Sequence, residues 1–125
     1  MDVDLNLLDR LEQEHRDVEA IFARLESATD ESEQRSLVND LEAALAPHMS
    51  IEESDVYPAL AALDAGMAEE AETEHNEARD ELEALKAQIG QSGFSGAVQT
   101  LKGAIEHHVE EEEGEAFPKL RAGRS

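Results

Sequence analysis

An all-α fold, an antiparallel up-down-up-down four-helix bundle with an internal pseudo-two-fold repeat, is what this sequence predicts. Three observations predict it. Ala, Glu and Leu dominate a chain of 125 residues that has three Phe, one Tyr and no Trp, and such strong helix formers argue against a β-protein. Apolar residues recur at spacings of three and four in four separate stretches. The chain also matches itself at an offset of 60 residues with no insertion or deletion, as two copies of one helical hairpin would.

The first helix is expected over about Asp4 to Ser27, with Leu8, Leu11, His15, Val18, Phe22 and Leu25 on one stripe. The polar run Ala28-Thr29-Asp30-Glu31-Ser32 suits a turn and a new N-cap. The second helix runs from about Ser32 to Ser54 or beyond, with Leu37, Leu41, Ala44/Leu45, His48 and Glu52 on its stripe. Pro47 within it predicts a kink or a restart, and Pro58 an end or a bend, with Ala59 to Leu63 adding a turn. Asp64-Ala65-Gly66 reads as a stop.

The third helix runs from about Met67 to Ile89, with Ala68, Ala71, His75, Ala78, Leu82, Leu85 and Ile89 on its stripe. Gly90-Gln91-Ser92-Gly93 makes a loop. The fourth runs from about Phe94 to Glu113, carrying Phe94, Ala97/Val98, Leu101, Ala104/Ile105, His108 and Glu112, and Pro118 ends or bends it. A frayed tail is expected from Arg121 to Ser125. Loops this short make neighbouring helices antiparallel. The chain reads as one domain, residues 1–125, with repeat halves at about 4–63 and 67–121.

Composition narrows the function. The chain has no cysteine, which excludes disulfides, thiolate metal sites and cysteine nucleophiles. It shows no apolar run of membrane-spanning length, and Met1-Asp2-Val3-Asp4 lacks the basic region of a signal peptide. A cytoplasmic location is expected. The net charge of −21 disfavours nucleic acid and anionic membrane as partners. No nucleophile triad, phosphate-binding glycine loop or dinucleotide fingerprint is found.

The chemistry lies on the stripes. Every helix places one His at a core position, and the second and fourth add a Glu four residues later. Four residues advance about 6 Å and return nearly to the same face, so His48 and Glu52, like His108 and Glu112, can address one target. The repeat relates these groups: His15 to His75, His48 to His108 and Glu52 to Glu112. A single core His or Glu is usually structural, but six together are not. A buried unpaired carboxylate costs several kcal/mol, and no Lys or Arg lies at this level of the stripes. Metal ions compensate both carboxylates. Two His per ion and two shared carboxylates give each of two ions four protein ligands, with oxo, hydroxo, solvent or a small molecule completing the shell. Imidazole with carboxylate suits iron, manganese or zinc.

These segments resemble the hemerythrin-like, or HHE cation-binding, family. The resemblance rests on Glu14-His15, His48-Met49-Ser50-Ile51-Glu52-Glu53, Tyr57-Pro58, Glu74-His75, His108-Val109-Glu110-Glu111-Glu112-Glu113 and Phe117-Pro118. It implies a non-haem di-iron site, oxo- or hydroxo-bridged, with His15 and His48 on one iron, His75 and His108 on the other, and Glu52 and Glu112 bridging. Oxygen-carrying members have a fifth His four residues after the third-helix His; Arg79 stands there, and its repeat counterpart is Glu19. The pattern looks more like members linked to iron sensing, nitric oxide or peroxide handling, or repair of damaged iron centres.

The expected function is therefore a di-iron protein that binds or reacts with oxygen, nitric oxide or peroxide. The alternative is an iron- or oxygen-sensing or iron-handling module without turnover. Lesser expectations concern the surroundings. Glu19 could add a ligand, but a Glu19–Arg79 ion pair or two solvated residues is preferred. Tyr57 could donate to a bound ligand or ligate metal, but packing beside Pro58 is preferred. Glu14 and Glu74 could line an entry path, but solvated carboxylates are preferred. His107 is assigned to the surface or the margin of the site rather than to ligation. The run Glu110 to Glu113 is a solvated face except for Glu112.

Overall fold

A computed structural model describes residues 3–123. It contains helices α1 (Leu5–Ser27), α2 (Glu31–Ile51), α3 (Tyr57–Leu63), α4 (Ala65–Ala87), α5 (Phe94–Glu111) and α6 (Phe117–Ala122), with no strand among the described residues. Two π-helical segments, Glu52–Val56 and Glu112–Ala116, join α2 to α3 and α5 to α6 without a break. The chain thus forms four rods: α1, α2–α3, α4 and α5–α6. α1 packs against α2 and α5, and α4 packs against α5 and α2. No described helix is long and apolar enough to cross a membrane.

Aspartates set three of the four starts. The side chains of Asp4, Asp30 and Asp64 accept from the backbone N–H of Asn6, Glu33 and Met67, satisfying donors that the helix leaves open. Asp64 closes α3 and caps α4 at once. Ala65 and Gly66, read from the sequence as part of a stop, therefore form the first turn of α4. Gly90 is the position that needs glycine, with φ of 75° in the loop before α5.

At the prolines the structure removes one of the two alternatives each left open. Helix α2 continues through Pro47 without a restart. At Pro58 and Pro118 the rods widen rather than end. Proline has no N–H for the carbonyl four residues back, and the bonding shifts so that Tyr57 N–H donates to Glu52 O and Phe117 N–H to Glu112 O. In a regular α-helix, residue i+5 lies about 140° around the axis from residue i. The π turn, which closes i to i+5, brings Tyr57 and Phe117 back toward the face of Glu52 and Glu112.

The core comes in two pieces. One cluster holds Val18, Phe22, Leu25, Leu41, Leu82 and Leu101 among others. The second holds Leu8, Leu11, Val56, Tyr57, Leu60 and Phe117 among others. Along α1 and α4 the chain passes from the second cluster to the first, with His15 and His75 at the crossing. Along the α2–α3 and α5–α6 rods it passes from the first to the second, crossing at His48 and Glu52, and at His108 and Glu112. At the far end Arg121, expected in a frayed tail, lies in α6 and pairs with Asp9 at 2.8 Å and Glu12 at 3.1 Å. Arg124 and Ser125 lie outside the described residues.

Candidate metal centre

The six residues singled out from the sequence meet in one polar layer between the apolar clusters, none more than 6 % exposed. Their donor atoms form two sets, each with its atoms within 4.8 Å of one another: His15, His48, Glu52 and Glu112, and His75, His108, Glu52 and Glu112. Each carboxylate gives one oxygen to either side. In the first set Glu52 Oε2 lies 3.4 Å from His48 Nε2, and Glu112 Oε1 lies 3.2 Å from His15 Nε2. In the second, Glu52 Oε1 lies 3.0 Å from His75 Nε2, and Glu112 Oε2 lies 3.0 Å from His108 Nε2. The imidazole pairs repeat as well, with ring centroids 4.8 Å apart at 58° for His15–His48 and 4.7 Å apart at 62° for His75–His108.

A ring of outer carboxylates orients the histidines. His15 Nδ1 donates to Glu113 and His75 Nδ1 to Glu53, both at 2.7 Å. His48 Nδ1 donates to Glu14 at 2.8 Å, and His108 Nδ1 to Glu74 at 2.7 Å. A carboxylate only accepts, so Nδ1 of each ring carries a proton, and Nε2 faces the interior of the layer. Arginines brace three of the four: Arg10 lies 3.1 Å from Glu14, Arg16 lies 2.6 Å from Glu113 and Arg79 lies 2.8 Å from Glu53.

Several sequence expectations are corrected here. Glu14 and Glu74 are hydrogen-bond acceptors for site histidines, not merely solvated. Glu113 belongs to the site, and Glu53, which sequence reasoning passed over, is its counterpart. The signal was available: both pairs, Glu14/Glu74 and Glu53/Glu113, recur at the 60-residue offset. Of the two readings preferred for Glu19 and Arg79, the ion pair between them does not form. Arg79 turns to Glu53, while Glu19 is exposed and 3.4 Å from Arg16.

Tyr57 does more than pack. Its buried hydroxyl donates to Glu112 Oε2, and its oxygen lies 2.9 Å from His75 Nε2, 3.1 Å from His108 Nε2 and 3.3 Å from Glu52 Oε1. Its repeat counterpart Phe117, which has no such oxygen, stacks on His15 at 6.1 Å.

Electrostatics follow from burial and pairing. Burial pushes the Glu52 carboxyl up, but contacts from His108, His48 and His75 outweigh it and hold the group well below the usual carboxylate range. Burial pulls His48 down, but the Glu52 carboxylate, then Glu14 and Glu112, raise it to about 9. His108 is raised well above the usual imidazole value, against burial, by Glu112, Glu52 and Glu74. Burial and the two central carboxylates raise the Tyr57 phenol.

The donor set fits a cation. His15 Nε2, Glu52 Oε2 and Glu112 Oε1 are buried with no hydrogen-bond partner, a condition that protein interiors rarely leave uncompensated. All three belong to the first set and converge there. Imidazole nitrogen with carboxylate oxygen suits iron, manganese or zinc. A cavity of about 20 Å³ adjoins the four histidines, walled by Val18, Met49, Ala78, Ala104, Ile105 and Val109; it has room for a molecule about the size of water. A third group, Glu70, Glu74, His107 and Glu111, also brings its donors within 4.8 Å of one another. It is a surface group. His107 is exposed, 2.9 Å from Glu111 and 3.4 Å from Glu74, as its place beside His108 on the helix predicts.

Comparison with known proteins points to the same class of ligand, a cation. The family model of the hemerythrin HHE cation binding domain matches residues 6–120. Comparison with curated proteins and with solved structures returned no match.

Proposed function

Because the chain belongs to the hemerythrin HHE cation binding domain family, we propose that its polar layer is a carboxylate-bridged di-iron centre that binds or reacts with a small ligand such as oxygen, nitric oxide or peroxide. The observation that carries this reading is the sharing of Glu52 and Glu112 by two donor sets, each with two imidazole nitrogens and two carboxylate oxygens. His15 and His48 would hold one iron, His75 and His108 the other. Manganese or zinc would suit the same donors. The reading takes the four rods as an antiparallel up-down-up-down bundle, since α1 and α4 cross the polar layer in one sense and the other two rods in the opposite sense.

Iron bound here would supply Lewis acidity and a change of oxidation state. The chain's own residues do the rest. Glu14, Glu53, Glu74 and Glu113 fix the imidazole orientations through Nδ1. The apolar walls of the adjoining cavity limit what reaches the histidines to something small. Tyr57 places a hydroxyl beside the His75/His108 set, where it can donate to a bound ligand.

A second reading, an iron-sensing or iron-handling module without turnover, is favoured by the position of the ligands. They separate the two halves of the core, so metal occupancy and folding are coupled. Elemental analysis of protein expressed with iron tests the site: two equivalents per chain are expected, and less than one overturns the proposal. His48→Ala and His108→Ala should each lower metal content and melting temperature. A peroxide-decomposition assay separates the readings. Turnover supports the reactive centre, while iron-dependent stabilisation without turnover supports the module.

A further inference from the structure

We infer that the two half-sites are inequivalent and load in order, His15/His48 first and His75/His108 second, because the Tyr57 hydroxyl occupies the second. This rests on the reading of the layer as a two-metal centre. The repeat makes the two halves nearly alike, yet their ligand atoms are satisfied differently. In the His15/His48 set, His15 Nε2, Glu52 Oε2 and Glu112 Oε1 have no hydrogen-bond partner, although their residues are at most 4 % exposed. A cation arriving there breaks no hydrogen bond among those three atoms and relieves all of them.

In the His75/His108 set every ligand atom already contacts one oxygen. Tyr57 Oη donates to Glu112 Oε2 and lies 2.9 to 3.3 Å from His75 Nε2, His108 Nε2 and Glu52 Oε1. A cation with ligand distances of about 2.0–2.2 Å to the same four atoms needs the space that this oxygen fills. The hydroxyl must withdraw first, and the ring that carries it is buried in the apolar cluster with Val56, Leu60 and Phe117. The first half-site carries no such oxygen, since Phe117 presents only a ring face to His15. One oxygen atom, Tyr57 against Phe117, is the source of the asymmetry.

The test is a cobalt(II) titration of the metal-free full-length chain, followed by its visible spectrum. Wild type should bind two equivalents in two resolved steps. His48→Ala should remove the tighter step and His75→Ala the weaker. Tyr57→Phe copies Phe117, and it should tighten the second step by roughly 10- to 100-fold, the worth of hydrogen bonds to charged groups. A Tyr57→Phe protein whose two steps keep their separation would show that repulsion between the cations alone sets it. A weakened second step would show that the Tyr57 oxygen serves as a ligand. Either result overturns the inference, and so does loss of the tighter step in His75→Ala with its retention in His48→Ala. If Tyr57→Phe does not fold, the two histidine variants still decide the order. A wild-type chain that binds no cobalt defeats the two-metal reading itself, whereas two equivalents bound in one step defeat only the loading order.

Discussion

Raising the pH of the metal-free protein from 6.5 to about 9 should destabilise it. His48 is nearly buried, and burial alone would disfavour its charge, yet Glu52, Glu14 and Glu112 raise its pKa to about 9. Between the ordinary value near 6.5 and that value, the folded chain holds a proton that the unfolded chain has lost. The stabilisation is fully present below pH 6.5 and disappears as pH rises through 9. At about 1.4 kcal/mol per pH unit it amounts to roughly 3 kcal/mol, or about 10 °C in melting temperature for a chain of this size. His108, also raised, acts in the same direction. Urea unfolding of metal-free protein at intervals across this window measures the effect. Metal takes the place of the proton on the imidazoles, so loaded protein should lose much less. His48→Gln should remove His48's share of the slope. A metal-free stability that stays level or rises between pH 6.5 and 9, or a full slope in His48→Gln, would refute this account of how the buried carboxylates are compensated.

Further outcomes are expected. Glu53→Ala should weaken metal binding at the His75/His108 half-site by roughly 10- to 100-fold, and Glu113→Ala should do the same at His15/His48, because each frees one imidazole from its acceptor; competition with a chelator of known affinity reads both. Leu101→Ala, in the apolar cluster beyond the layer, should cost about 2–5 kcal/mol in denaturant unfolding while leaving metal stoichiometry unchanged. Gly90→Ala should destabilise by about 1 kcal/mol or more, since the residue has positive φ and a Cβ there would meet the Glu31 carboxylate; calorimetry checks it.

The stripes were readable because the helical period and the 60-residue repeat both operate along the chain. Each of the six inner residues is where periodicity puts it, and α1 and α4, Leu5–Ser27 and Ala65–Ala87, keep the offset residue for residue. The outer carboxylates were harder to place. Glu113 meets His15 from the other half of the chain, as Glu53 meets His75, and those partnerships depend on how the rods are arranged. Arg79 and Glu19 illustrate the same limit: their repeat equivalence suggested a pair, but each finds a nearer partner. Tyr57 was assigned to packing for its place beside Pro58, and regular helical spacing would indeed turn it away from Glu52. The π turn before Pro58 cancels that rotation, and a local change of hydrogen-bond register leaves no mark in hydrophobic periodicity.

Charge explains why so acidic a site can fold. Two central carboxylates and four outer ones crowd around four imidazoles, more negative charge than the layer could hold unaided. Arg10, Arg16 and Arg79 neutralise three of the outer four at the rim, where long side chains remain in contact with water. The interior then needs cations only against Glu52 and Glu112. In the metal-free protein the protonated imidazoles of His48 and His108 supply these, and metal ions can supply them without protons. Glu74 is the exception: it has no arginine and faces Glu111 and His107 instead. The layer is therefore symmetric in its six inner residues but asymmetric in two places, the Tyr57 oxygen and the unbraced Glu74. Both border His108, so the His75/His108 half is where binding should respond most to substitutions outside the six inner residues.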